Sequence, residues 1–255
     1  MNFAAIDARI LWPAFIAGLL VTATHVPLGI QVLKRGIVFI DLAIAQIAGV
    51  GVILADWLGF EPQGWAVQVS ALAAALVGAL FLTWTDKHWP EVQEAIIGVT
   101  FILAASGALI VLASNPHGAE NLKDLLVGQI LWADSRRLLY VAVAYAAILL
   151  IWFMRGERLG RVVFYLLFAC AVTASVQLVG LYLVFTTLIV PALATRRLTR
   201  RRLAVAYVLG VIGYALGLVT SAMTDWPSGP AIVWVMALLA AVVFACGPRA
   251  TLAAR

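Results

Sequence analysis

The chain has 255 residues, of which 64% are hydrophobic and 11% charged, with a net charge of +5 and a mean hydropathy of +1.05. The apolar share is far above, and the charged share far below, those of soluble domains, which excludes a soluble globular enzyme. The positive charge has a more direct explanation in membrane topology than in nucleic-acid binding.

Apolar runs of about 20 residues recur along the whole length, each able to cross a hydrocarbon core of ~30 Å as a helix. They fall at about 10–33, 36–58, 64–84, 95–114, 137–154, 162–190, 203–222 and 230–246, separated by short polar or Pro/Gly-bearing turns. The reading is an all-α polytopic membrane protein with about eight transmembrane helices, forming one transmembrane domain over 1–255. The opening, MNFAAIDARILWPAF, has no basic stretch before its first apolar run and no small-residue cleavage pattern, so the first helix is expected to be retained. Cys170 and Cys246 lie in apolar segments and are expected to behave as small hydrophobes.

Basic residues set the expected orientation. With the N-terminus outside, Lys34, Arg35, Lys87, Arg155, Arg158 and Arg161 face the cytoplasm, while Arg9, Lys123, Arg136 and Arg137 face out. The run 162–190 decides the remainder. A single crossing would put Arg196, Arg197, Arg200, Arg201 and Arg202 outside, whereas entering and returning within the run keeps them inside with Arg249 and Arg255. The return needs a re-entrant or broken helix near 173–190, where Thr173, Ser175, Gln177 and Gly180 stand in CAVTASVQLVGLYLVFTTLIVP. Irregular backbone at membrane depth survives only where protein buries it or a cavity wets it, so 177–190 is expected beside a pathway. Tryptophans near the span ends and the small-residue row Gly210, Gly213, Gly217 fit a packed bundle.

Polar residues inside the spans are few. Asp41 stands roughly 9 Å past the inner boundary, Gln46 roughly 16 Å, and His25 on the preceding helix roughly 14 Å, at 1.5 Å per residue. His25 and Gln46 thus share a level and could face each other across a pathway. Asp41 either lines a cation route, pairs with Lys34 or Arg35, or holds an adjacent backbone. His25 is either a pathway group or a neutral histidine hydrogen-bonded between helices. His88, Glu91 and Glu94, spaced i, i+3, i+6, read foremost as carboxylates satisfying the positive end of a helix. His117 and Glu120, with Asp7, Asp56, Glu61, Asp124, Asp134 and Asp225, make the outer face acidic, which favours cation approach. There is no G-x-x-x-x-G-K-[ST] phosphate loop, no H-E-x-x-H and no G-x-S-x-G arrangement in or near a span, so no enzyme site is expected and energy must come from a partner or an ion gradient. The segment PALATRRLTRRR, from Pro191 to Arg202, suits docking onto a cytoplasmic partner, or serves as topology charge alone.

The run LWPAFIAGLLVTATHVPLGIQVLKRGIVFIDLAIAQIAGVG resembles the opening of the zinc/manganese/iron-type ABC transporter permeases. EAIIGVTF at 94–101, LKDLLVGQILW at 122–132, VQLVGLYLVFTTLIVPALATRR at 176–197 and DWPSGPAIV at 225–233 continue the likeness in family order over nearly the whole chain. The resemblance implies a permease bundle working as a homodimer in a bacterial or archaeal inner membrane, with lipid around it. It further implies a dimer of cytoplasmic ATPases that uses ATP and docks on 191–202 through Pro191, Arg196, Arg197, Arg200 and Arg201. An extracytoplasmic metal-binding protein would deliver a divalent metal, zinc first and manganese or iron next, past a gate at Gln177 and Gly180, with no cofactor resident in this chain. Family members usually carry a His four residues after the Asp, where this chain has Ala45 followed by Gln46. Either His25 substitutes at the same depth, or coordination is transient, or the cargo is not the usual metal. Two other readings stay open: a secondary transporter moving a cation on the proton gradient with Asp41 and His25 as relay groups, and an ABC permease for a metal chelate.

Overall fold

With no water in a bilayer to bond backbone N–H and C=O groups, apolar runs of this length satisfy them internally as helices. The structure, a computed structural model, describes residues 8–61, 64–112, 128, 130–132, 135–155 and 160–246. Among these are α1 (Ala8–Arg35), α2 (Ile40–Trp57), α3 (Trp65–His88), α4 (Gln93–Leu112), α5 (Ser135–Arg155), α6 (Arg161–Val179), α7 (Leu181–Ala194), α8 (Arg202–Thr224) and α9 (Ser228–Cys246). Eight of them, all but α7, are long and apolar enough to cross a membrane.

Local chemistry explains where the helices stop and how they tolerate proline. α1 ends in Lys34-Arg35-Gly36: Gly36 has φ +71°, its N–H donates to Leu33 O and that of Ile37 to Val32 O. That pair of bonds is the Schellman closure, which needs a left-handed residue after the helix. α1 also contains Pro27, which has no N–H for the carbonyl of Ala23 four residues back. Tyr207 of α8 supplies the missing donor, its hydroxyl 3.0 Å from Ala23 O.

The expected break is present at one residue. Gly180 has φ +83° and ψ 162°, a conformation essentially confined to glycine. Its N–H donates the last bond of α6 to Val176 O, and its carbonyl opens α7 by accepting from Val184 N. Thr173, Ser175 and Gln177 remain helical in α6, so the break is narrower than the stretch expected to hold it. Ser175 donates back to Ala171 O at 2.7 Å, leaving its helix unbroken, and its oxygen also meets the Tyr145 hydroxyl of α5. The break also comes after α6 is long enough to cross, and α7 returns with only 14 residues, about 21 Å. Gly29, near the basic end of α1, packs directly on Leu188 O, so α7 brings the arginine-bearing connection after Ala194 toward the Lys34/Arg35 end of the bundle.

α1 packs chiefly on α7 and α8, α2 on α3 and α4, α3 also on α6, and α9 on α8 and α7. The small residues of α8 are used as expected: Gly210 meets Thr22 of α1, while Gly213 and Gly217 admit Met236 and Ile232 of α9. α6 is buried along most of its length, whereas α4 and α5 leave most of their surface uncovered.

Candidate functional site

Asp41 occupies the first turn of α2 and is fully buried. Neither of its carboxylate oxygens has a hydrogen-bond partner, although the amides of Asp41 itself and Leu42 face it at the helix start. Arg35 does not neutralise it. Its guanidinium lies over the Phe164 ring, 4.2 Å from the centroid. A buried carboxylate costs heavily unless paired, and here only the first amides of α2 face it, with no hydrogen bond formed.

Glu94 of α4 is an acidic neighbour of Asp41 and carries charge of the same sign. Its Oε1 accepts from Phe39 N at 3.2 Å, at the cap position of α2, and its Oε2 is buried without a partner. Glu94 therefore satisfies the start of a neighbouring helix rather than that of its own. His88 turns instead to Trp84 O at 2.8 Å and Glu91 is exposed, so the three i, i+3, i+6 residues do not converge. Among the described residues, no group of three His, Cys, Asp or Glu side chains is placed to hold a metal ion. His117, Glu120, Asp124 and Asp134 lie outside the described residues.

Gln46 is half-buried and lines a small cavity of about 10 Å³ with Ala45, Gly49, Ala108, Val176 and Leu181. That is room for about one water. Val176 and Leu181 flank the Gly180 break, so Gln46 faces the end of α6 and the start of α7. Gln177 is half-buried, three residues before the break. Backbone covers the break from the other side: a Cβ on Gly128 (φ +71°) would collide with Val179 O and Gly180 N. The sequence carries a signal for this in the glycine of LKDLLVGQILW, but not its partner.

His25 is buried on α1, away from these groups. Its Nδ1 lies 3.1 Å from Val21 O and 3.0 Å from Thr24 Oγ1. A carbonyl can only accept, so Nδ1 carries the proton and Nε2 keeps a bare, unpartnered lone pair. α1 and α2 hardly touch despite their short connection: α1 packs chiefly on α7 and α8, and α2 on α3 and α4. His25 and Gln46, expected at one level, therefore stand on helices that hardly meet. Thr22 Oγ1 and Thr173 Oγ1 are further buried hydroxyls without partners.

At the basic end, Pro191 lies inside the last turn of α7 and not at the start of a loop, and Thr195 Oγ1 donates to Pro191 O at 2.7 Å. The irregular connection is correspondingly short, 195–201. Arg196 and Arg197 stand 5.4 and 4.2 Å from the Phe244 ring of α9, Arg200 and Arg201 are exposed, and Arg202 donates to Ala192 O at 3.2 Å. A cationic ledge results. Cys170 and Cys246 are free thiols.

A bundle of membrane-crossing helices with a glycine-broken return helix, a buried carboxylate and a cationic end ledge is the architecture of a polytopic membrane protein. The chain belongs to the ABC 3 transport family, whose model matches residues 7–160 and 157–247. It is 23% identical to the high-affinity zinc uptake system membrane protein ZnuB of Haemophilus influenzae, over 91% of this chain and 95% of that one. It is 25% identical to the manganese transport system membrane protein MntC of Halalkalibacterium halodurans, over 94% and 88%. Its fold matches PsaBC from Streptococcus pneumoniae, solved in complex with Fab, with a TM-score of 0.79 and 20% identity over 98% and 97% of the two chains.

Proposed function

We propose that this chain is the membrane-spanning subunit of an importer that carries a divalent transition metal, zinc, manganese or iron, into the cytoplasm. A separate pair of cytoplasmic ATPases drives it, and an extracytoplasmic metal-binding protein feeds it. The chain acts as a homodimer with its N-terminus outside. The observation that carries this reading is Asp41: a carboxylate wholly buried in a membrane-crossing helix with both oxygens unpartnered. Such a group is costly in a membrane and is retained where a cation passes.

The roles follow from the placements. Asp41 offers the charge that draws a cation into the bundle. Gln46 supplies an amide oxygen beside the Gly180 break, and His25 a free Nε2 on the other side of α7. Gln177 and Gly180 form the gate, because α6 and α7 meet there through one non-helical residue. Pro191, Arg196, Arg197, Arg200 and Arg201 form the ledge that meets the ATPase, Pro191 by stiffening the end of α7. ATP binding and hydrolysis belong to the partner, consistent with the absence of a phosphate loop from this sequence.

The test is to tag the chain, extract it gently from its native membrane and identify copurifying proteins by mass spectrometry. A P-loop ATPase in equal amount is expected. Its absence under conditions that preserve other ABC complexes overturns the reading in favour of a gradient-driven carrier.

A further inference from the structure

Ala45 removes the imidazole that would make Asp41 a mixed nitrogen and oxygen site, yet Asp41 is not alone. Phe39 caps α2 and Asp41 follows two residues later, so a carboxylate held at Phe39 N lies within about one helical turn of Asp41. That carboxylate is Glu94, brought from α4. Three buried acceptor atoms result, Asp41 Oδ1, Asp41 Oδ2 and Glu94 Oε2, none in a hydrogen bond, although the first amides of α2 face Asp41. The two carboxylates repel each other. The positive end of α2 offsets only part of that repulsion. Arg35 lies on Phe164 and Arg161 pairs with Asp86 at 3.0 Å.

We propose that Glu94 is a second cation ligand beside Asp41, so that this chain offers its cargo an all-oxygen pair bridging α2 and α4 in place of a carboxylate and an imidazole. A divalent cation there satisfies the three orphaned oxygens and cancels both charges in one step, which a water molecule with two donors cannot do. Oxygen donors suit manganese(II), while imidazole suits zinc, so the pair shifts preference from zinc toward manganese. With only two protein ligands, water fills the remaining positions, as in loosely held carboxylate sites from which an ion leaves readily. Because Glu94 Oε1 is hydrogen-bonded to the cap of α2, binding and release also pull on the packing between α2 and α4. This inference rests on the reading of the chain as a metal permease.

The experiment is Mn²⁺ titration of the full-length chain in lipid nanodiscs, followed by the loss of the free-ion electron paramagnetic resonance signal, with Zn²⁺ as competitor. The variants are Asp41→Asn, Glu94→Gln and, as a control at the same end, Glu91→Gln, an exposed carboxylate outside the pair. Glu94→Gln keeps an oxygen that accepts from Phe39 N, so it removes charge without removing the cap. We expect Mn²⁺ affinity to fall roughly 10- to 100-fold in both Asp41→Asn and Glu94→Gln and to be unchanged in Glu91→Gln. Loss in Asp41→Asn with wild-type affinity in Glu94→Gln overturns the inference while leaving the permease reading intact. No binding of either metal by the wild-type chain also overturns the inference, while the permease reading stands or falls on copurification of the ATPase. Thermal unfolding of each variant distinguishes lost ligation from lost folding, and a Glu94→Gln chain that unfolds at the wild-type temperature yet binds normally counts against the pair.

Discussion

The hydroxyl of Tyr207 donates to the carbonyl of Ala23, 3.0 Å away, which is the one carbonyl of α1 that Pro27 deprives of a helical donor. The bond joins α8 to α1 and explains how a proline sits in the middle of a 28-residue helix. Tyr207→Phe is expected to destabilise the protein by about 0.5–1.5 kcal/mol, the range for interhelical hydrogen bonds in membranes. In a Pro27→Ala background the same substitution should cost less, because the backbone N–H restored at that position reaches Ala23 O. Thermal unfolding in detergent across the four proteins of that cycle measures the coupling; equal costs in both backgrounds would contradict this role for Tyr207.

Gly180 and Gly128 set the second expectation. Gly180→Ala forces a Cβ into a backbone region open essentially to glycine, at about 1–3 kcal/mol. Gly128→Ala drives a Cβ against Val179 O and the Gly180 amide. Both variants should lower the unfolding temperature and the transport rate together, whereas Gly98→Ala, where a Cβ meets open space on α4, should alter neither. Parallel unfolding and uptake assays check this.

The Arg161–Asp86 ion pair, at 3.0 Å, ties α6 to α3, with Arg161 also donating to Asp86 O at 3.2 Å. Half of the Arg161 side chain is exposed. Exposed pairs contribute about 1 kcal/mol or less, and salt screens them. Arg161→Ala should therefore lower the unfolding temperature slightly at low ionic strength and less at high, with transport retained. A large, salt-independent loss would mean that the pair is more than a surface clasp.

The arginine ledge gives a fourth expectation. Arg196 and Arg197 lie over Phe244, which holds the connection 195–201 against α9. Replacing Arg200 and Arg201 together by Glu reverses two exposed charges without touching that contact. Association with the ATPase should fall strongly while folding is unchanged, read by copurification and unfolding temperature. Undiminished association would reduce these arginines to topology charge.

The spans are legible in the sequence because bilayer thickness dictates the length of an apolar run, and the return at 180–194 because the arginines after it have to rejoin Lys34 and Arg35. The break itself is legible only as a stretch. Ser175 resembles a helix breaker in composition, but its hydroxyl bonds to Ala171 O in its own helix and to Tyr145 of α5, leaving Gly180 as the sole irregular residue between α6 and α7. Counting 1.5 Å per residue places His25 and Gln46 at one level, yet depth says nothing of which helices are neighbours, and α1 packs on α7 and α8 while α2 packs on α3 and α4. Spacing alone assigns Glu94 to its own helix. Its bond to Phe39, 55 residues away, is a tertiary fact that no local pattern carries.

Whether a metal passes Asp41 under the drive of a separate ATPase is decided by ATP-driven accumulation of Zn²⁺ or Mn²⁺ in proteoliposomes holding the complete transporter, with wild-type chain and with Asp41→Asn. The wild type is expected to accumulate metal with ATP and to ignore a protonophore, while Asp41→Asn assembles normally and accumulates about tenfold less, the order of a lost metal contact. Wild-type accumulation by Asp41→Asn, or uptake that needs a proton gradient and no ATP, would contradict the proposed mechanism.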